Sequence, residues 1–361
     1  MNQQTTERYS RQLLLSEIGK EGQAKLQASK VLVIGAGGLG CPILQYLTGA
    51  GVGTIGIIDD DVVSRSNLHR QILYGERAIG QNKATAAAAR LKDLNPEITI
   101  NTYAERLTTQ NALPLFAEYD IIVDGSDNFS TRYLVNDACV LTNKSLIYGA
   151  IYKFEGQVSV FNYNNGPTYR CLFPEPPAPG SAPSCSEIGV LGVLPGMIGC
   201  FQANETLKLI LGIGETLSGT LLLVDALSVR TTTLKIARNQ ELVDQVLANR
   251  DGFAGFNYEV FCGLNPSIQT ITFDEAFQLK NAVFIDVREP HEQPKVHQLH
   301  PQEIPLGQLA DQASNLDRDN PIICFCQSGM RSKTAAETLM NLGLKEVYSL
   351  KQGAPLLEQV L

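Results

Sequence analysis

Residues 31–40 read Val31-Leu-Val-Ile34-Gly35-Ala-Gly37-Gly38-Leu-Gly40, and the fold turns on them. Four aliphatic residues predict a short buried strand, the next six match GxGxxG, and residues 41–50 predict a helix. Glycines in such a turn let the backbone approach a phosphate at a helix N-terminus, where unpaired N–H groups and the helix dipole favour anions. Asp59 stands 19 residues after Gly40, at the end of a second predicted strand, residues 54–58. A carboxylate there accepts from ribose hydroxyls. The turn alone is a weak signal; with the strand, the helix and the acid, it predicts nucleotide binding.

Outward from this unit, a helix rich in alanine is predicted over residues 83–94, strands over 99–103, 120–123, 145–148 and 157–161, a helix over 198–211 and a hairpin over 220–224 and 229–236. Strands alternating with helices imply an α/β fold with a parallel sheet. Five of the ten residues 174–183 are proline, which predicts an exposed, partly extended loop. From residue 238 to 267 no clean period is visible, and alternation then resumes. The expected organisation is a large domain over residues 1–250, a linker over 251–267 and a small α/β domain over 268–361.

A chain of 361 residues suits two domains. Its 29 basic and 37 acidic residues give a net charge of −8, with 44% hydrophobic and 18% charged positions, which argues against wholesale disorder and a generally nucleic-acid-binding surface. The apolar stretch 188–201 contains Pro195 and is too short to span a bilayer. Residues 1–12 lack the apolar core of a secretory signal, so a cytoplasmic protein without a membrane partner is expected. None of the eight cysteines forms a CxxC pair, so reduced thiols are expected, with Cys41, Cys139, Cys200 and Cys324 read as core.

The residues that follow Asp59 choose the nucleotide. They run Asp60-Asp61-Val-Val-Ser-Arg-Ser66-Asn67-Leu68-His69-Arg70-Gln71, then Gly80-Gln-Asn-Lys83, then Asp124-Gly-Ser-Asp127-Asn128; Arg8-Tyr-Ser-Arg11-Gln12 precedes them all. This series resembles the MoeB/ThiF enzymes that activate ubiquitin-like sulfur carriers, relatives of the ubiquitin-activating enzymes, over about residues 7–237. The resemblance implies a Rossmann-like adenylation domain, with ATP and Mg2+ held by Gly35, Gly37, Gly38, Gly40, Asp59, Ser66, Asn67, Leu68, His69, Arg70, Gln71, Lys83, Asp127 and Asn128. The chemistry agrees, since joining a carboxylate to AMP needs fixed cations around phosphate and a carboxylate for Mg2+. Arg70 and Lys83 supply cations and Asp127 suits the metal. By the same resemblance Arg11 reaches the phosphates of a neighbouring subunit, so a homodimer is expected. Each residue also has a plain alternative: Lys83 as a solvated helix charge, Asp127 as a helix N-cap, Arg11 in a surface ion pair.

Family members often carry two CxxC pairs around a structural zinc. Here the first position reads Thr168-Tyr-Arg-Cys171 and residues 238–246 hold no cysteine, so no structural zinc is predicted. Cys185, at the end of the proline-rich loop, matches a cysteine that some relatives link covalently to the carrier; an incidental loop thiol is the alternative.

In the last 94 residues, predicted strands 283–286 and 321–325 lead into Asp286-Val-Arg288-Glu-Pro-His-Glu292 and Cys326-Gln-Ser-Gly329-Met-Arg331-Ser332, the latter directly before a predicted helix, residues 333–342. A thiol at a helix N-terminus, with backbone N–H groups and Arg331 nearby, is set up as a nucleophile. The loop resembles that of the rhodaneses, which implies a persulfide on Cys326. Phosphatase loops are the rival, but they place one more residue between Cys and Arg. Residues 293–305 depart from the usual rhodanese pattern, and His291, His297 and His300 read as exposed loop residues.

The combination implies an adenylyltransferase with sulfurtransferase activity. Its expected partners are a MoaD-like or ThiS-like carrier and a sulfur donor such as a cysteine desulfurase or thiosulfate, for molybdopterin or thiamine synthesis. The alternatives are tRNA thiolation, activation of a small carboxylate on tRNA, a nicotinamide oxidoreductase and a docking protein without activity.

Overall fold

The computed structural model describes residues 3–177, 189–263, 268–318 and 320–360. They form two compact units, one of residues 3–175 with 190–256 and one that includes residues 257–263, 268–318 and 320–360.

The larger unit is built on β1 (Lys30–Ile34), β2 (Thr54–Ile58), β3 (Thr99–Tyr103), β4 (Ile121–Asp124), β5 (Ser145–Tyr152), β6 (Glu155–Phe161), β7 (Thr220–Asp225) and β8 (Arg230–Lys235). The sheet order is β3-β2-β1-β4-β5-β6-β7-β8. The first five in that order run parallel and the rest pair antiparallel. Val31, Leu32, Val33 and Ile34 are all buried. Successive strand residues point to opposite faces, so β1 is covered on both, which is why it reads as a continuous apolar run. Each such side chain contributes about 1.5–3 kcal/mol by burial. From β1 the chain builds outward through β2 and β3, then crosses to β4 on the other side. This makes a switch point, and α/β sheets open a crevice at the carboxyl ends of their strands there.

Helix Leu194–Leu211 starts four residues before the expected 198, with Pro195 in its first turn, where a fixed φ and a missing N–H cost nothing. Cys41 and Cys139 are core as expected, whereas Cys200 is exposed. It lies on the outward face of that helix beside Phe201, itself 36% exposed, so apolar composition misidentified the buried face. Residues 238–267, expected to be irregular, contain helix Gln240–Ala248, N-capped by Asn239, and the short helix Tyr258–Phe261. Only Val243 and Val246 are buried on the first, too few to print a period in the sequence.

Helix Phe129–Thr142 is tied to the short helix Tyr169–Leu172 by a buried fork. Arg170 Nε and Nη2 each donate to Asp137 at 2.7 Å, and the guanidinium lies over the Tyr133 ring at 4.9 Å. Asp137→Ala removes both of these charge-assisted hydrogen bonds from the fork, and a loss of about 3–5 kcal/mol is expected in denaturant unfolding. A loss below about 1 kcal/mol would mean that the fork has no structural weight.

The smaller unit is a five-stranded parallel sheet of β9 (Gln269–Ile271), β10 (Val283–Asp286), β11 (Gln302–Glu303), β12 (Ile322–Phe325) and β13 (Val347–Leu350), in the order β11-β10-β12-β13-β9. All four residues of central β12 are buried. Among the described residues no helix is long and apolar enough to cross a membrane.

Candidate functional site

In the larger unit two loops meet at the switch point. The glycine turn leaves β1 and residues 125–127 leave β4, with Gly125 N–H donating to Ile34 O at 2.8 Å. Glycine is obligatory at Gly40, where a Cβ would lie 2.0 Å from Gly35 O. Gly35 itself has φ +84° and faces Gly125 O, which a Cβ would meet at 3.0 Å. Gly40→Ala forces the turn apart; a stability cost of about 3 kcal/mol and loss of nucleotide binding are expected in thermal melts and ligand titration. Wild-type binding by that variant would detach the turn from ligand recognition.

Asp59 supports the turn from below. Its Oδ2 accepts Ala36 N–H at 2.7 Å, and burial pushes the carboxyl above its ordinary range, partly offset by Lys83. Tyr74 O–H donates to Ala36 O at 2.7 Å. Above the turn, the Arg70 side chain lies over Gly38 and the Gln71 amide beside Gly37, while Pro195 closes on Gly38. The segment that carries Arg70 and Gln71 is anchored by the 3-10 turn Arg65–Asn67. There Asn67 Oδ1 accepts Ser64 N–H at 3.3 Å, and Ser66 O accepts from Arg70 Nη1 at 3.1 Å and pairs with His69 Nδ1 at 3.0 Å. Leu68 packs half-buried on the core and His69 is exposed. Lys83 opens helix Lys83–Leu94, nearly buried, with Nζ donating to Asp61 Oδ2 at 2.6 Å.

The N-cap of helix Phe129–Thr142 is Asn128, whose Oδ1 accepts Thr131 N–H at 2.9 Å, so Asp127 does not cap it. Asp127 is exposed, with no hydrogen bond or ion pair among the described residues. Asp124 Oδ2, Ser126 Oγ, Arg132 Nε, Gln71 Oε1 and Gln202 Oε1 are buried without a hydrogen-bond partner among the described residues. Burial pushes the Asp124 carboxyl upward, with Arg132 opposing it. Buried polar atoms with no partner among the described residues are costly in a finished core and expected at a site that receives a polar ligand. Sequence reading gave no role to Asp61, Tyr74, Arg132 and Gln202; Asp61 stands inside the quoted series, and the other three belong to no recognisable spacing.

Arg11 is elsewhere. Gln12, its neighbour, donates to Ala50 O at 3.3 Å, and the buried ring of Tyr9 packs against Gly51. Both mark the far end of helix Gly40–Ala50, about 15 Å from the glycine turn. Arg11 is exposed there and is not brought to this chain's own crevice.

At the position of the family's zinc, the two expected segments do meet. Cys171 Sγ accepts Asn239 N–H at 3.2 Å and Thr168 N–H at 3.4 Å. One thiol thus joins the segments through hydrogen bonds, and among the described residues no group of three metal-ligating side chains is found. Cys185 lies outside the described residues.

In the smaller unit Cys326 follows β12, fully buried, with Gly329 N–H donating to Sγ at 3.1 Å and Ser332 Oγ 3.7 Å away. Gly329 has φ +91°, and a Cβ on Gly353 would lie 2.0 Å from Gln327 O, so two glycines permit the loop's shape. Arg288, forked on Asp286 at 2.9 and 2.7 Å, gives its remaining nitrogen to Gln327 Oε1 at 3.0 Å and holds the loop from the side. Arg331, read from the sequence as a cation near the sulfur, is paired with a carboxylate. Both its terminal nitrogens bind Glu292, at 2.6 and 2.7 Å, across 39 residues of sequence that hid the pair. Burial raises the Glu292 carboxyl, but Arg331 and the Glu289 backbone outweigh it and hold it below the usual range. His291, His297 and His300 are exposed.

Comparison with known proteins matches residues 9–244 to the ThiF family and residues 272–356 to the rhodanese-like domain. The chain is 50% identical to the sulfur carrier protein adenylyltransferase of Thermus thermophilus, over 72% of this chain and 97% of that one. It is 41% identical to the probable adenylyltransferase/sulfurtransferase MoeZ of Mycobacterium tuberculosis, over 98% and 93% of the two chains. To the adenylyltransferase and sulfurtransferase MOCS3 of Arabidopsis thaliana it is 46% identical, over 96% and 82%. Among solved structures, E. coli MccB with ATP superposes at a TM-score of 0.56 with 24% identity, covering 64% of this chain and 72% of that one. PaaA superposes at 0.55 with 21% identity, covering 66% and 76%. At that identity both bear on the fold alone.

Proposed function

The chain belongs to the ThiF family, with a rhodanese-like domain after the family's own, and is an adenylyltransferase and sulfurtransferase; from that premise we propose that it adenylates the C-terminal Gly-Gly of a ubiquitin-like sulfur carrier and converts it to a thiocarboxylate. The observation that carries this reading is the crevice at the switch point, where the glycine turn, Asp59, Arg70, Gln71 and Lys83 gather around unmet buried polar groups.

In this reading the N–H groups of residues 35–40 receive phosphate oxygens, Asp59 takes the ribose, and Arg70 and Lys83 neutralise the phosphate charge that otherwise repels an incoming carboxylate. Asn67 Nδ2 and Asn128 Nδ2 remain to donate, since each amide oxygen is already spent on backbone. Asp127, an exposed carboxylate without a partner among the described residues, fits Mg2+ and would hold it, and the ion would screen the triphosphate. A carrier carboxylate oxygen attacks the α-phosphorus, and pyrophosphate leaves. The terminal sulfur of a Cys326 persulfide then attacks the acyl carbon, AMP leaves, and an acyl disulfide forms. A second thiol, Cys185 or an external one, attacks Cys326 Sγ, releasing the thiocarboxylate and leaving a disulfide for an external thiol to reduce. Arg11, at the far end of helix Gly40–Ala50, serves the crevice of a second copy, which makes the working unit a homodimer.

The carrier decides the pathway, molybdopterin or thiamine synthesis in the first instance and tRNA thiolation as the alternative. The test is ATP–pyrophosphate exchange with a panel of MoaD-like and ThiS-like carriers, each with and without its Gly-Gly tail. Exchange with one tailed carrier supports the reading and names the pathway. Exchange that ignores the tail overturns it.

A further inference from the structure

We infer that Asp61, which has no role in the mechanism above, is a positioning residue that aims the Lys83 ammonium into the nucleotide crevice; the inference rests on the reading of that crevice as an ATP site. The Lys83 side chain is only 7% exposed, and a desolvated ammonium needs a counter-charge. Two carboxylates stand near it. Asp59 already accepts two backbone N–H groups, Oδ2 from Ala36 at 2.7 Å and Oδ1 from Asp61 at 2.9 Å, and its remaining lone pairs are the ones assigned to the ribose. The hydrogen bond from Lys83 Nζ goes to Asp61 Oδ2, at 2.6 Å, its one partner among the described residues.

The Asp61 side chain is itself 67% exposed, so it fills no core. It is nonetheless fixed. Its carbonyl accepts Lys83 N–H at 2.9 Å and Asn82 Nδ2 at 3.2 Å, and its Oδ1 accepts Val62 N–H at 3.0 Å. Asn82 Nδ2 also donates to Asp59 O at 2.9 Å and its side-chain oxygen caps the helix that Lys83 opens. Residues 59–61 and that helix N-terminus thus form one braced piece, with the Asp59 carboxylate at the turn and the Lys83 ammonium held beside it. An ammonium carries three N–H donors, so one bond to Asp61 leaves two for phosphate oxygens. An exposed Lys–Asp pair would have little weight. Here the lysine is buried, and the carboxylate decides where its charge points.

The test is binding of Mg-ATP and of adenosine to the full chain, each by competition against a fluorescent ATP analogue. Asp61→Asn keeps the shape and the backbone carbonyl. It is expected to weaken Mg-ATP about tenfold and to leave adenosine, which offers the ammonium no phosphate, unchanged, with a lowered melting temperature that still keeps the chain folded at the assay temperature. Asp61→Glu recovers part of the loss. Lys83→Gln shows the same ATP-selective loss, and Asp61→Asn added to it weakens binding no further. A wild-type chain that binds no Mg-ATP overturns the ATP-site reading, and this inference with it. If the wild type binds and Asp61→Asn holds Mg-ATP as well or better, or loses adenosine to the same degree, Asp61 is not a positioning residue and the site reading stands.

Discussion

Replacing Asp127 by alanine is expected to lower ATP–pyrophosphate exchange about a thousandfold, or to background, while leaving the folded chain intact. The two halves of that expectation have separate grounds. Asp127 is exposed and makes no hydrogen bond or ion pair among the described residues, and the N-cap that a neighbouring carboxylate could have supplied belongs to Asn128. Removal of such a side chain changes stability by about 0.5 kcal/mol at most. In the proposed mechanism the same side chain would hold Mg2+ beside the triphosphate, so removing its charge takes away that fit and the screening that goes with it. Asp124, three residues earlier, is the control. It is fully buried, with Oδ1 on Ser126 N–H, so Asp124→Ala should disturb the melt as well as the exchange. A wild-type exchange rate in the Asp127→Ala chain would remove this residue from the mechanism.

Replacing Cys326 by alanine is expected to leave exchange at the wild-type rate and to abolish thiocarboxylate formation. The thiol is buried at the end of β12 under Gly329 N–H, and its loss removes one sulfur atom from a packed site, about 1 kcal/mol and too little to unfold the unit. No other described cysteine substitutes for it. Cys324, two residues earlier, is also fully buried, and burial drives its thiol far above the ordinary range, so it stays protonated and inert. Mass spectrometry of the carrier distinguishes the outcomes, since a thiocarboxylate is heavier than a carboxylate by the difference between sulfur and oxygen. Loss of both activities in the Cys326→Ala chain would sink the two-site scheme, because adenylation is assigned wholly to the other unit.

What was legible in the sequence was whatever is local in the chain. The strand at residues 31–34, the glycine turn and the helix after it follow from a few consecutive residues whose backbone preferences and burial agree, so they could be read without knowing what packs on them. The same holds for helix Lys83–Leu94, for β12 and for the thiol at its end. The motif residues around Asp59, Arg70, Lys83 and Asp127 were legible as a set because the series in which they stand resembles that of the MoeB/ThiF enzymes.

Tertiary structure alone decided which partners those residues hold. Arg331 and Glu292 are 39 residues apart, Cys171 and Asn239 are 68 apart, and Lys83 and Asp61 are 22 apart, with no period linking either member to the other. It also decided which face is inside, burying Cys139 and exposing Cys200, two thiols that look alike in an apolar helix. It set Arg11 at the far end of helix Gly40–Ala50 from this chain's own glycine turn. Local sequence constrains a backbone within a few residues, whereas an ion pair, a buried face or a shared crevice is fixed by where distant segments come to rest.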